Sequence, residues 1–176
     1  ALAFFRLNRL STDGTTGGFP LEGPRTGYLN VRTNHFFYKR AVAGPSSAAF
    51  SPDGRTLYLA GYMWPTGGHM GRSDGVMHGV RRMAYAGDAE PQDFLGTMAI
   101  DGDGKADGQF AGPTSVAVDG AGRIYVSDYL NKRVQVFSPD GEHLKNLPAR
   151  RPAKVIVNPR TGEVIVLSWY LAAIGD

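Results

Sequence analysis

Gly108-Gln-Phe-Ala-Gly-Pro-Thr-Ser-Val-Ala-Val-Asp-Gly-Ala-Gly-Arg-Ile-Tyr-Val-Ser-Asp-Tyr-Leu-Asn-Lys-Arg-Val-Gln-Val-Phe-Ser-Pro-Asp-Gly-Glu-His-Leu-Lys-Asn-Leu147 alternates strand signals with turn signals. Ser115–Val118, Ile124–Ser127 and Arg133–Phe137 each show the period-two pattern of a half-buried strand. Gly120-Ala-Gly122 punctuates the first gap, and Pro139-Asp-Gly141 follows the third strand. A fourth short strand, Glu142–Leu147, completes an up-and-down meander of about 40 residues, the size of one propeller blade.

The phrase resembles the NHL repeat, a blade of the NHL and related six-bladed, YVTN- or WD40-like propeller families. The matching residues are Gly108-Gln-Phe110, Pro113, Val116-Ala-Val-Asp119, Gly122, Ile124-Tyr-Val126, Asp128, Asn131, Arg133, Val136-Phe137 and Gly141. The resemblance implies an all-β fold of four-stranded antiparallel blades.

Working outward, Ala48-Ala-Phe-Ser-Pro-Asp-Gly-Arg-Thr-Leu-Tyr-Leu-Ala60 sets two strands around a Ser-Pro-Asp-Gly turn. Pro52 presets the turn's φ and Gly54 permits the positive φ that closes it. Strand character returns at Val76–Ala84, and Asp93–Leu95 fits an outer strand. Downstream, Ala153–Leu167 repeats the pattern, with Asn158-Pro-Arg-Thr-Gly162 as its turn. Pro113 to Pro152 is 39 residues, one blade period, whereas Pro45 to Pro113 is 68. An irregular insertion at 62–75 and the Gly87–Pro91 loop account for much of that excess. Toward the N-terminus, Tyr28–Val31 and Asn34–Val42 are strand candidates.

The chain is therefore expected to be one domain, 1–176, holding about 3.5–4 blades of a six-bladed ring. Their approximate spans are 1–44, 45–95, 96–150 and an incomplete 151–176. Six blades would need roughly 240 residues, so the sequence reads as part of a longer propeller. Other blades, or another chain, are then expected to cover its open edges.

Composition excludes several function classes. The chain has no cysteine, which removes disulfides, zinc–thiolate sites, iron–sulfur clusters and attached c-type haem. Its net charge is +3, too mild to demand a polyanionic partner, and no basic helix or aromatic–basic platform argues for nucleic acid. No apolar run approaches the ~20 residues of a membrane span. The turn phrases are common in bacterial exported proteins, so the resemblance points to a periplasmic or extracellular setting.

Asp128, Asn131 and Arg133 form the polar signature of the NHL-like phrase. A carboxylate at the end of a strand can accept turn N–H groups, and an arginine nearby can pair with it. The structural role outweighs ligand binding at the propeller mouth. Related lactonase and amidating-lyase propellers hold a metal with carboxylates, Asn or His around the central channel. Only Asp128 occupies such a position here, and Gly61 and Ser168 stand at the comparable strand ends. No cofactor is expected from these residues, while a divalent metal is compatible with a complete propeller of that family.

Asp101-Gly-Asp-Gly-Lys-Ala-Asp107 superficially resembles a calcium loop, but it lacks the required ligands at its fifth and twelfth positions and reads as a solvated connection. The stretch Tyr62–His78 is the least repeat-like. Its Trp64, His69 and His78 are candidates for ligand recognition in a mobile loop, and its Met and His content suits copper in principle. Methionines filling an uneven core are the plainer explanation.

No nucleophile elbow, zinc-protease motif or phosphate loop is present. The expected function is a non-catalytic scaffold or binding module that presents loops to a protein or small ligand. The alternatives are a metal-dependent propeller enzyme of the lactonase or lyase type and an RNA-binding NHL domain.

Overall fold

The computed structural model describes residues 6–15, 23–30, 41–63, 76–99, 101–171 and 174. All named elements are strands: β1 (Tyr28–Asn30), β2 (Ala41–Ala43), β3 (Ser47–Phe50), β4 (Thr56–Ala60), β5 (His78–Ala84), β6 (Gln92–Thr97), β7 (Pro113–Val118), β8 (Ile124–Asp128), β9 (Arg133–Phe137), β10 (His143–Pro148), β11 (Pro152–Val157) and β12 (Val164–Ser168).

Two four-stranded meanders follow one another, β3-β4-β5-β6 and β7-β8-β9-β10, and the hairpin β11-β12 begins a third. Every pairing is antiparallel between sequence neighbours, the connectivity of propeller blades. The first meander ends with a six-residue outer strand, longer than the Asp93–Leu95 expected from sequence. Near the N-terminus β1 pairs with β2; the strand candidate at 34–42 keeps only its last residues, since 31–40 lie outside the described residues.

Register makes the sheets superimposable by sequence. Ser47 faces Ala60, Ser115 faces Ser127 and Lys154 faces Leu167. Ser47, Ser115 and Lys154 therefore hold one repeat position on the first strand of three successive sheets. β7 touches both β3 and β11, which aligns these first strands side by side.

Strand alternation gives each sheet two apolar faces. Tyr58, Ala60, Val80 and Leu95 of the first meander pack against Val116, Ile124, Val126 and Phe137 of the second. The opposite face of the second, Ala117, Tyr125, Val134 and Val136, packs against Val155 and Val157 of β11. On the hairpin the next face, Ile156, Ile165 and Leu167, is exposed.

The turns are closed by a repeated device. Asp53 accepts the Arg55 N–H at 3.0 Å, Asp119 accepts the Arg123 N–H at 2.9 Å, and Asn158 accepts the Arg160 N–H at 3.0 Å. Gly54, Gly122 and Gly162 supply the positive φ these turns require.

Asp119 is the most elaborated of the three, also taking the Arg123 Nε–H at 2.6 Å and the Tyr125 hydroxyl at 3.0 Å. Burial opposes its ionisation, but the Arg123 side chain and backbone N–H and the Tyr125 hydroxyl outweigh it and hold the carboxyl below its ordinary value. Because the folded value is depressed, the stability Asp119 contributes is present above the unfolded value and lost as pH falls through the folded one. An Asp119→Asn variant should thus be less stable than the parent at neutral pH, with the deficit shrinking below about pH 4. Urea unfolding across a pH series measures this, and a deficit independent of pH would contradict it.

Candidate functional site

Asp128 ends β8 and is fully buried. Its carboxylate accepts four groups: the Ala111 N–H at 2.8 Å, the Arg133 Nε–H at 2.8 Å, the Gln135 Nε2–H at 3.0 Å and the Asn131 Nδ2–H at 2.9 Å. Burial pushes the carboxyl up from its ordinary value, and the Ala111, Arg133 and Asn131 donors oppose that push.

The donors are themselves shared with the connection that leads from β6 to β7. Arg133 donates onward to the carbonyls of Ala106 and Gln109 at 2.8 and 3.0 Å, and Asn131 to that of Gly104 at 2.7 Å. Gln135 donates to the Gln109 carbonyl at 2.6 Å and accepts the Gly108 N–H at 3.0 Å. The structure thus brings Asp128, Asn131 and Arg133 into one cluster with Gln135, and the cluster grips residues 104–111.

That grip has a packing consequence. It seats Phe110, fully buried, between the two meanders, where its ring lies 5.8 Å from that of Phe137. Gly96 makes room for it, since a Cβ there would meet Phe110 Cδ2 at 2.5 Å as well as the His78 carbonyl. The segment 101–107, reminiscent of a calcium loop in sequence, belongs to this connection. Its Asp107 faces Arg133 at 3.5 Å, the Asn146 amide at 2.7 Å and His143 at 3.5 Å.

His78 does not lie in the mobile loop expected from sequence. It opens β5, is buried, and its Nδ1 accepts the Gly112 N–H at 3.1 Å, tying the first meander to the entry of β7. The ends of the supposed insertion are also core. Met77 joins Met83, Met98, Tyr62, Leu57 and Leu59 in one buried cluster, so these methionines fill an irregular gap between apolar neighbours. Trp64 and His69 lie outside the described residues.

Two polar features escaped the sequence reading. Gln135 is one: an amide between valines in a strand looks like a solvent-facing residue, yet it is fully buried. The second lies on the aligned first strands. The Ser47 hydroxyl accepts the Val116 N–H at 3.2 Å, and the Ser115 hydroxyl accepts the Val155 N–H at 3.3 Å. Each serine thereby satisfies a backbone donor on the first strand of the next sheet, a group that the blade's own ladder leaves unpaired. The two hydroxyls lie 3.3 Å apart, and Lys154 Nζ donates to Ser47 Oγ at 3.3 Å.

Comparison with known proteins places the fold. Residues 110–137 match the NHL repeat model. A 39-residue stretch is 51% identical to protein wech of Drosophila melanogaster, covering 22% of this chain and 5% of that protein. Among solved structures, a gluconolactonase from Xanthomonas campestris superimposes with a TM-score of 0.58 at 22% identity, covering 95% of this chain and 42% of the other. A calcium-binding protein, regucalcin, from Agrobacterium tumefaciens gives a TM-score of 0.46 at 18% identity over 64% of this chain and 33% of the other. The chain spans less than half the length of each of these proteins. Residues 110–137 are an NHL repeat, and the chain around them is built of β-propeller blades.

Proposed function

We propose that this chain is a propeller binding module, a rigid frame that holds a ligand or partner without transforming it. The observation that carries this reading is the commitment of Asp128. The strand-end carboxylate that could serve a propeller enzyme is fully buried and saturated by four donors of its own chain. Such a residue builds a frame, and the frame's loops and strand ends are left to do the recognising. A further blade covers the apolar face formed by Ile156, Ile165 and Leu167.

The catalytic alternative, a metal-dependent lactonase-type enzyme, is decided by one experiment. The protein that contains this chain is incubated with gluconolactone in the presence of calcium, magnesium or zinc, and acid release is followed against the spontaneous rate. The expected result is a rate equal to the spontaneous one with every metal. Metal-stimulated, saturable hydrolysis would overturn the binding-module reading.

A further inference from the structure

The outer strand β10 carries a bulge between His143 and Lys145. Without it, strand alternation would set His143 and Asn146 on opposite faces; the extra residue brings them to one side. Their register partners, Phe137 and Gln135, share the face of β9 that is turned toward the connection carrying Gln109 and Phe110. There they meet Asp107. Asn146 Nδ2 donates to Asp107 Oδ1 at 2.7 Å, His143 Nε2 lies 3.1 Å from Asn146 Oδ1, and His143 Nδ1 lies 3.5 Å from Asp107 Oδ2. The three side chains close a triangle.

That closure imposes a condition on the proton count. A carboxylate only accepts, so the amide must turn its nitrogen to Asp107 and its oxygen to His143. The imidazole must then donate from Nε2 to Asn146 and from Nδ1 to Asp107. A neutral ring has one N–H, and either tautomer sets a lone pair against an oxygen. Flipping the amide only moves the conflict to the 2.7 Å contact with Asp107. The imidazolium, with two N–H groups, satisfies every contact and adds an ion pair with Asp107.

The surrounding charges leave room for that cation. Arg133 opposes it, facing Asp107 Oδ1 at 3.5 Å, but its Nε–H is committed to the buried Asp128. From β9 the ring also meets Phe137, edge-on at 5.5 Å, which carries no charge. Glu142, just before β10, and Lys145, within it, are exposed and of opposite sign. We propose that His143, Asn146 and Asp107 form a proton-operated clasp, which fastens the outer strand of the second meander to the inter-blade connection when His143 is charged. The protonated ring is held more firmly in the closed clasp than in the open one, so closure prevails at low pH and is lost as pH rises. Because β10 ends its sheet, this attachment to Asp107 braces an edge strand.

Hydrogen exchange followed by mass spectrometry, in the protein that contains this chain, tests the clasp. Exchange of His143–Pro148 is measured at about pH 5.5 and about pH 8, either side of the range where histidine changes charge, and divided by the intrinsic rate at each pH. In the parent the strand should be about 3-fold better protected at the lower pH, the scale of a partly exposed ion pair. His143→Gln, which can still donate to Asn146 but carries no charge, and Asp107→Asn should each abolish that pH dependence. Protection of Ile124–Asp128 in all three proteins shows that the fold is intact, and Asp107→Asn decides alone should the glutamine variant lose it. Equal protection of β10 at both pH values in the parent, better protection at the higher pH, or an unchanged ratio in a folded variant would each overturn the clasp.

Discussion

Replacing Asp128 by alanine should destabilise the protein by about 3–5 kcal/mol, the cost of stripping one partner from a buried ionic cluster. The loss has an identifiable anatomy. The Arg133, Asn131 and Gln135 side chains and the Ala111 N–H all lose an acceptor, and all but Asn131 and Arg133 sit where water has little access to replace it. Because burial already disfavours the charged carboxyl, the site is stable only while its donors are complete. Asp128→Asn, which keeps the shape and one acceptor oxygen, should cost clearly less than the alanine variant. Guanidinium unfolding of the three proteins measures the order. Equal stability of Asp128→Ala and the parent would mean that the cluster does not hold the connection.

Phe110→Ala should be comparably damaging, at about 3–5 kcal/mol, through a different mechanism. The ring is the wedge between the two meanders and contacts the cluster of Tyr58, Val80, Leu95, Val116, Ile124, Val126 and Phe137. Its neighbours belong to paired strands on both sides and cannot close over the vacated volume without breaking ladder hydrogen bonds. Phe110→Leu should recover much of the loss, since it refills most of the space. Thermal unfolding compares the three. The alanine and Asp128→Ala losses should be less than additive in the double variant, because the carboxylate positions the segment that carries the ring.

The same chemistry explains what the sequence discloses. Turns built on Asp53-Gly54, Asp119 with Gly122, and Asp140-Gly141 are legible because a carboxylate and a glycine with positive φ are local requirements. Strands β7, β8 and β9 are legible because each has one face against a neighbouring sheet, which enforces alternation. The site is less visible because its contacts cross sheets. Ser47 and Val116 are far apart in sequence, and nothing local to a serine announces that it accepts the N–H of another blade. His78 misleads for a related reason. Its company of glycine and methionine lacks alternation, while the partner that buries it, the Gly112 N–H, comes from the far end of the next connection. Gln135 is hidden by its own strand, where a polar residue between valines has the same pattern whether it meets water or a buried carboxylate.

Asp128, Asn131 and Arg133 could be read from sequence as a structural signature, and the geometry adds what they act upon: the backbone of residues 104–111. In the Ser47–Ser115–Lys154 line the informative residue is the one that departs from the repeat. Two serines each cap a backbone N–H of the next sheet; the lysine at the third position instead donates back to Ser47.

Amide hydrogen exchange at Ala111 and Gly108 tests the central claim most directly. Both amides lie in a connection outside any strand, and side chains of the cluster, Asp128 and Gln135, are their acceptors. If the cluster clamps the blades together, both should be protected to nearly the level of β8 and β9, with Ala111 protection lost in Asp128→Ala. Exchange of both amides at the rate of an open loop in the parent protein would contradict that account.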